Sequence, residues 1–188
     1  MTSVATRILE EGDEAVYYLP SYFDKSLFDR LKHEIDWNQR QITLFGKTHN
    51  EPRLTAWFGP EYAYSGVKQI EKSFPKFIDQ MRKTLCSEFD FPFNAALLNY
   101  YRNGQDYMGW HRDNEKSMDQ QCIASVSFGE ARKFSIRNIH TKERTDILLE
   151  DGSLLLMQNL QTNWQHCLPK IARVESERIN LTFRHILV

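Results

Sequence analysis

The chain has 188 residues, 41% of them hydrophobic and 13% aromatic, which is enough for one domain with a sizeable core and short for two. Its formal net charge is -1, with 12 basic against 14 acidic residues up to position 94 and 12 against 11 after it, so neither half reads as a basic nucleic-acid module. No apolar run approaches the ~18 residues of a membrane span, MTSVATRILEEGDEAVYY carries no cationic, apolar leader, and Cys86, Cys122 and Cys167 contain no CxxC, which argues against a disulfide framework or a thiolate zinc site. The expectation is a soluble, intracellular monomer with no membrane association and no partner-recruiting tail before residue 20, cytoplasmic in a bacterium and nuclear in a eukaryote.

Taken in chain order, SLFDRLKHEIDW (26–37) places Leu27, Leu31 and Ile35 at helical spacing and predicts a helix. Residues 67–88, around IEKSFPKFIDQMRKTLCSEF, predict a second helical stretch broken near Pro75. Helices are therefore expected to dominate residues 1–90. From Phe93 onward come short apolar runs, FNAALLNYYR, QCIASVSFG, RKFSIRNI, RTDILLE, GSLLLM and RINLTFRHILV, separated by Gly, Asn, Asp and Pro. Six or more strands after a helical stretch predict an α+β fold: a small jelly roll or open barrel over about 91–188, helices packed outside, and one unit spanning 1–188 without internal repeat or linker. A four-helix or doubly wound architecture does not suit this order.

The strand RINLTFR has two characters. Arg178, Asn180, Thr182 and Arg184 point one way, and Ile179, Leu181 and Phe183 the other. This pattern suits either a half-exposed strand with a solvated polar face or an arginine-lined pocket in which Thr and Asn complete the hydrogen bonds to a carboxylate. GWHRDNE (109–115) sets His111 and Asp113 one residue apart, a pair that arises by chance in about one such chain in three. As half of a two-histidine, one-carboxylate metal site it needs a distant histidine. His33, His49, His140 and His185 read as surface or ordinary strand residues. His166, in NWQHCLPK after the strand GSLLLM, sits where a returning strand would present a third ligand, although alone it reads equally as a core or rim histidine.

The series NYYRNGQDYMGWHRDNE, SVSFG, GSLLLM, WQHCLP and RINLTFR resembles the AlkB family of Fe(II)- and 2-oxoglutarate-dependent dioxygenases, particularly the animal homologues that repair alkylated DNA and RNA. The family pattern, H-x-D, a distal H and R-x-N-x-T-x-R, is matched at His111, Asp113, His166, Arg178, Asn180, Thr182 and Arg184. The resemblance covers roughly residues 40–188 and implies a double-stranded β-helix with a substrate-binding lid. It further implies Fe(II) on His111, Asp113 and His166, with 2-oxoglutarate and O2 as co-substrates. Arg178 would pair with the distal carboxylate of 2-oxoglutarate, Arg184 would support the metal-proximal end, and Asn99 and Tyr101, which share one strand face, would complete the pocket. A polar edge in a meander is the plainer reading of those last two.

The implied substrate is an N-alkylated base, such as 1-methyladenine or 3-methylcytosine, in DNA or RNA. It must be single-stranded or flipped out to reach a buried metal. By resemblance, Tyr64 and His111 sandwich the base, Tyr62 hydrogen-bonds to it, and Glu115 faces its exocyclic amino group. Phe45, with Gly46 and Lys47 of FGK (45–47), looks like the wedge that fills the gap in the stack, and Lys47 and Arg53 are phosphate or rim contacts. Core packing is the plainer reading of Phe45, Tyr62 and Tyr64, and Trp57 is left between core and lid. Asn114 departs from the second aspartate common in repair homologues, so the contact made there does not carry over. Two other readings share these residues: an oxygenase of the same cofactors acting on a protein, lipid or small molecule, and a non-catalytic jelly roll in which the triad holds zinc.

Overall fold

The computed structural model describes residues 4–44, 47–64 and 67–187, and of residues 42–44, 47, 62–64 and 67–68 the backbone alone. In chain order the described elements are β1 Thr6–Glu11, β2 Glu14–Leu19, α1 Leu27–Glu34, β3 Gln41–Leu44, β4 Lys47–Asn50, β5 Leu54–Phe58, β6 Tyr62–Tyr64, β7 Val67–Gln69 and α2 Lys76–Phe89. There follow β8 Ala95–Tyr101, β9 Met108–His111, β10 Met118–Gly129, β11 Arg132–Asn138, β12 Arg144–Leu149, β13 Leu154–Gln158, β14 Trp164–Leu168 and β15 Arg178–Ile186. A seven-stranded antiparallel sheet, β1-β2-β13-β10-β15-β8-β5, faces a four-stranded one, β12-β11-β14-β9, and two hairpins, β3-β4 and β6-β7, stand apart from them.

The alternation in β8 and β15 sorts this fold into layers. Ala96, Leu98 and Tyr100 with Ile179, Leu181 and Phe183 turn to one side of the large sheet, where Leu31 of α1, Ile35 at its end, and Phe77, Ile78, Met81 and Leu85 of α2 cover them. Both helices owe their place to this apolar stripe. The opposite face carries Ala95, Leu97 and Tyr101, which pack between the sheets with Ile123, Phe134, Ile136, Leu155, Met157 and Trp164. A register slip of one residue in β15 would send its arginines under the helices and its apolar side chains into the space between the sheets, so the burial pattern fixes the pairing.

Passage between the sheets is set by Gly129, where β10 ends. Its φ is +79°, and a Cβ there would lie 2.5 Å from the Glu177 carbonyl oxygen, so no larger residue fits this turn unstrained. Trp164, fully buried at the start of β14, donates its indole N–H to Glu14 of β2 at 2.8 Å. That bond ties the small sheet to the large one just ahead of His166.

The jelly roll with two external helices agrees with the sequence reading, and three expectations are corrected. Residues 67–69 form strand β7, and the helix begins only at Lys76, after Pro75, which has no N–H to give and suits a helix start. Strands outnumber helices before residue 90, and β1, β2 and β5 belong to the large sheet, so residue 90 does not separate a helical part from the jelly roll. RINLTFR is buried on both faces, which removes the half-exposed reading.

Phe183, fully buried on the helix side, tests this layering. Phe183→Ala should lower the free energy of unfolding by about 3–5 kcal/mol, read from urea denaturation; a loss below ~1 kcal/mol would contradict the packing described.

Candidate active site

β9 and β14 pair antiparallel with His111 directly opposite His166. Their rings meet edge to face with centroids 4.2 Å apart. Asp113, two residues beyond His111, turns its carboxylate under both: His166 Nε2 lies 3.9 Å from Oδ2 and His111 Nε2 lies 4.0 Å from Oδ1. These separations are too long for hydrogen bonds, and one ligand atom from each residue falls within 4.8 Å of the others.

Each side chain is held for this arrangement. Gly109 O lies 2.8 Å from His111 Nδ1, so Nδ1 carries the proton and the Nε2 lone pair faces the cluster. Burial lowers the pKa of His111, and burial together with His111 pushes His166 down to about 3, so both imidazoles stay neutral with lone pairs available. Burial raises the Asp113 carboxyl, but the group is held below the ordinary carboxylate range, with Arg184 the largest opposing cause. Arg184 Nη2 donates to Asp113 Oδ2 at 2.8 Å, and the Asp113 backbone N–H donates to Gln161 Oε1 at 2.9 Å.

Asp113 Oδ1 is buried and accepts no hydrogen bond from the described residues. A buried carboxylate oxygen facing two imidazole lone pairs is costly without a cation, and two nitrogens with one oxygen suit ferrous iron with positions left open. The residues therefore fit the metal. Replacing Arg184 should expose this dependence: Arg184→Met is expected to weaken Mn(II) binding roughly 10–100-fold by calorimetric titration, and Asp113→Ala to weaken it further. Equal affinities in all three proteins would contradict a metal site here.

A cavity opens from this triad between the sheets, lined by Asn99, Tyr101, Arg178, Asn180, Thr182 and Arg184 along its polar wall and by Leu97, Met108, Phe134, Met157 and Leu168 elsewhere. Arg178 is 2% exposed, and its Nη2 donates to Ser127 Oγ at 2.9 Å while its guanidinium lies 5.3 Å from the Tyr101 ring centroid. Its Nε is buried without an acceptor among the described residues. A guanidinium in that condition suits a carboxylate ligand. Asn180 donates to Ser125 Oγ at 2.8 Å and to the Val126 carbonyl at 2.9 Å, and accepts from Thr182 Oγ1 at 3.0 Å.

Of the expected substrate contacts, Phe45 and Gly46 lie outside the described residues. Lys47, Tyr62 and Tyr64 are placed by backbone on β4 and β6, and their side chains lie outside the description. Glu115 is half-buried two residues beyond Asp113, and Asn114 is exposed. Arg53 is 4% exposed and donates to Asn99 Oδ1 at 2.8 Å with Glu51 Oε1 3.3 Å away, so a solvent-facing phosphate contact does not suit it; Asn99 and Glu51 draw it inward. Trp57 belongs to the core between the sheets. Sequence reasoning overlooked Gln161, which follows no periodic pattern, and Ser125 and Ser127, whose shared strand face is visible in SVSFG.

Residues 16–184 match the family described as the 2OG-Fe(II) oxygenase superfamily. Relatives include a protein called DNA oxidative demethylase ALKBH2 of Mus musculus, 35% identical over 93% of this chain and 80% of its own length. Another is called Alpha-ketoglutarate-dependent dioxygenase alkB homolog 3 of Bos taurus, 33% identical over 93% of this chain and 67% of its own length. The solved structure of OsALKBH1 superposes with a TM-score of 0.68 over 96% of this chain and 100% of its own, at 14% identity, and so supports the fold. The chain belongs to the AlkB family within the 2OG-Fe(II) oxygenase superfamily, an Fe(II)-dependent dioxygenase with 2-oxoglutarate and O2 as co-substrates.

Proposed function

We propose that the chain oxidatively dealkylates N-alkylated bases in DNA, with RNA as a second substrate class, in the repair of alkylation damage. The observation that carries this reading is the His111, Asp113 and His166 cluster, its last two members buried, opening into a cavity lined by Arg178, in a chain 35% identical to a protein named DNA oxidative demethylase. When bound, Fe(II) with 2-oxoglutarate and O2 supplies an oxidative decarboxylation to succinate and CO2 that hydroxylates the N-alkyl carbon, which then leaves the base as formaldehyde.

The residues divide this work. His111, Asp113 and His166 hold the metal, and Arg184 orients the Asp113 carboxylate. Arg178 receives the distal carboxylate of 2-oxoglutarate, Tyr101 walls the same end, and Asn180 with Thr182 keeps the strand locked to β10. Asn99, fixed by Arg53, faces the cavity beside them. The low pKa values of the histidines keep protons off the ligand nitrogens across the neutral range. Phe134, Leu97 and Leu168 exclude water from the reacting carbon.

A base reaches this depth only outside its stack, so the substrate is single-stranded or flipped. Tyr62, Tyr64, Glu115 and the exposed edge of His111 are assigned to grip it, and Phe45, Gly46 and Lys47 to replace it in the stack. The protein acts as a monomer in the compartment that holds the nucleic acid. No described helix is long and apolar enough to cross a membrane.

The test is formaldehyde release from oligonucleotides carrying 1-methyladenine or 3-methylcytosine by anaerobically iron-loaded protein exposed to air with 2-oxoglutarate. Turnover is expected in the intact protein and its loss in His111→Ala. Arg178→Ala should raise KM for 2-oxoglutarate by roughly a hundredfold. Absence of turnover by the loaded protein would sink the dealkylase reading, whereas an unchanged KM in Arg178→Ala would remove only the carboxylate assignment.

A further inference from the structure

Arg132 opens β11 and is wholly buried. Side chains alternate along the strand, so Arg132 shares the inward face with Phe134, which lines the cavity and lies against His166 with ring centroids 5.3 Å apart. Three backbone carbonyls converge on its guanidinium: Asn103 at 3.3 Å from Nη1, Asp106 at 3.1 Å and Pro169 at 2.8 Å from Nη2. Its Nε has no acceptor among the described residues, and none of the described carboxylates forms a salt bridge with it. The Asp106 carboxylate nearby is engaged by Arg102 at 2.8 Å. Asp106 and Glu130 act on it only through space, without a salt bridge, so a fully buried cation bonded to carbonyl dipoles gains from a further anion.

The carbonyls it gathers belong to the two segments at one end of the cavity. Residues 102–107 follow Tyr101, and residues 169–174 follow Leu168. The segments interlock, with the Gly104 N–H donating to Val174 O at 2.7 Å and the Ile171 N–H to Gly104 O at 2.9 Å. A Cβ on Gly104 would lie 1.9 Å from Ile171 O, so only glycine allows the approach. Arg132 also acts on the cavity through its charge: burial and, behind it, Arg132 push the Arg178 guanidinium down to about 10, against the opposing effect of Tyr101.

We propose that Arg132 is a positioning residue for the co-substrate, clasping the two segments that close the Tyr101 end of the pocket and setting a second positive charge behind Arg178, so that the pocket selects a dianionic 2-oxo acid over a monoanionic one. A distal carboxylate offsets both buried cations. A methyl group in its place adds no such charge. The inference rests on the reading that Arg178 receives the distal carboxylate.

The experiment compares binding of 2-oxoglutarate and 2-oxopentanoate, the same carbon chain without the distal carboxylate, to Mn(II)-loaded protein by calorimetry. The intact protein should prefer the dianion. Arg132→Met and Arg132→Gln should each cut that preference roughly tenfold with 2-oxopentanoate affinity unchanged, and should raise KM for 2-oxoglutarate while leaving kcat at saturation. Arg132→Lys should restore the preference through its charge while melting lower, since one ammonium cannot span three carbonyls. If the neutral variants do not fold, amide exchange in the intact protein decides: 2-oxoglutarate should slow exchange at Gly104 and Ile171 more than 2-oxopentanoate does. An unaltered preference in the folded neutral variants, or equal exchange, overturns the role of Arg132 while Arg178→Ala still abolishes the preference. No preference in the intact protein overturns the Arg178 assignment and this inference together.

Discussion

The buried ion pair between Arg184 and Asp113 is the constraint on which the rest of the structure depends. Arg184 comes from β15 in the large sheet and Asp113 from the turn after β9 at the edge of the small one, and their 2.8 Å contact is closed off from solvent. Desolvating two such charges typically costs several kcal/mol per ion, and a hydrophobic pair of the same volume would serve stability as well or better. The pair is best understood as serving the site. It holds one carboxylate ionised and aimed between two imidazoles that their burial keeps neutral, so the cluster with Arg184 is electrically balanced before a divalent cation adds its own charge.

Burying so many polar groups requires that nearly all find partners, and β10 supplies them. Ser125 and Ser127 lie opposite Thr182 and Asn180 in register, and their hydroxyls accept from Asn180 and Arg178. Two serines in the middle of a buried strand would otherwise be a defect. The same logic explains why β15 tolerates arginines on a face with no solvent: each guanidinium is partly bonded to protein and partly directed to a cavity that an anion or a metal-bound carboxylate fills.

This division shows what a sequence makes legible. Period-two alternation is local, so RINLTFR and NYY disclosed which side chains share a face, and the helix stripe of Leu27, Leu31 and Ile35 was equally plain. What alternation does not carry is register between distant strands. Nothing local in WQHCLP says that His166 pairs opposite His111, and nothing in LQTNW marks Gln161 as the residue that pins the Asp113 backbone. The resemblance to a family joined the metal ligands across that gap. Short strands were the commonest omission: β1 is exposed except at Ile8 and Leu9, and β7 is three residues long, so neither offers a pattern distinguishable from a loop or a helical turn. Arg53 is drawn inward by Asn99 and Glu51, 46 and 2 positions away, a pairing that no local pattern announces.

Those partners give the region upstream of the jelly roll a physical tie to the site. Arg40, at the root of the β3-β4 hairpin, donates to Gln69 at the foot of β6-β7, and Arg53 runs from Glu51 to Asn99 on the cavity wall. Arg40 and Arg53 both sense Glu51, and Arg53 is close enough to His111 to help lower its pKa, behind the larger effect of burial. A polar chain of this kind has few alternative partners at such depth, so shifting either hairpin would strand charges that the low-dielectric interior penalises. The two hairpins assigned to hold the nucleic acid are thus anchored to the strand that carries the co-substrate wall.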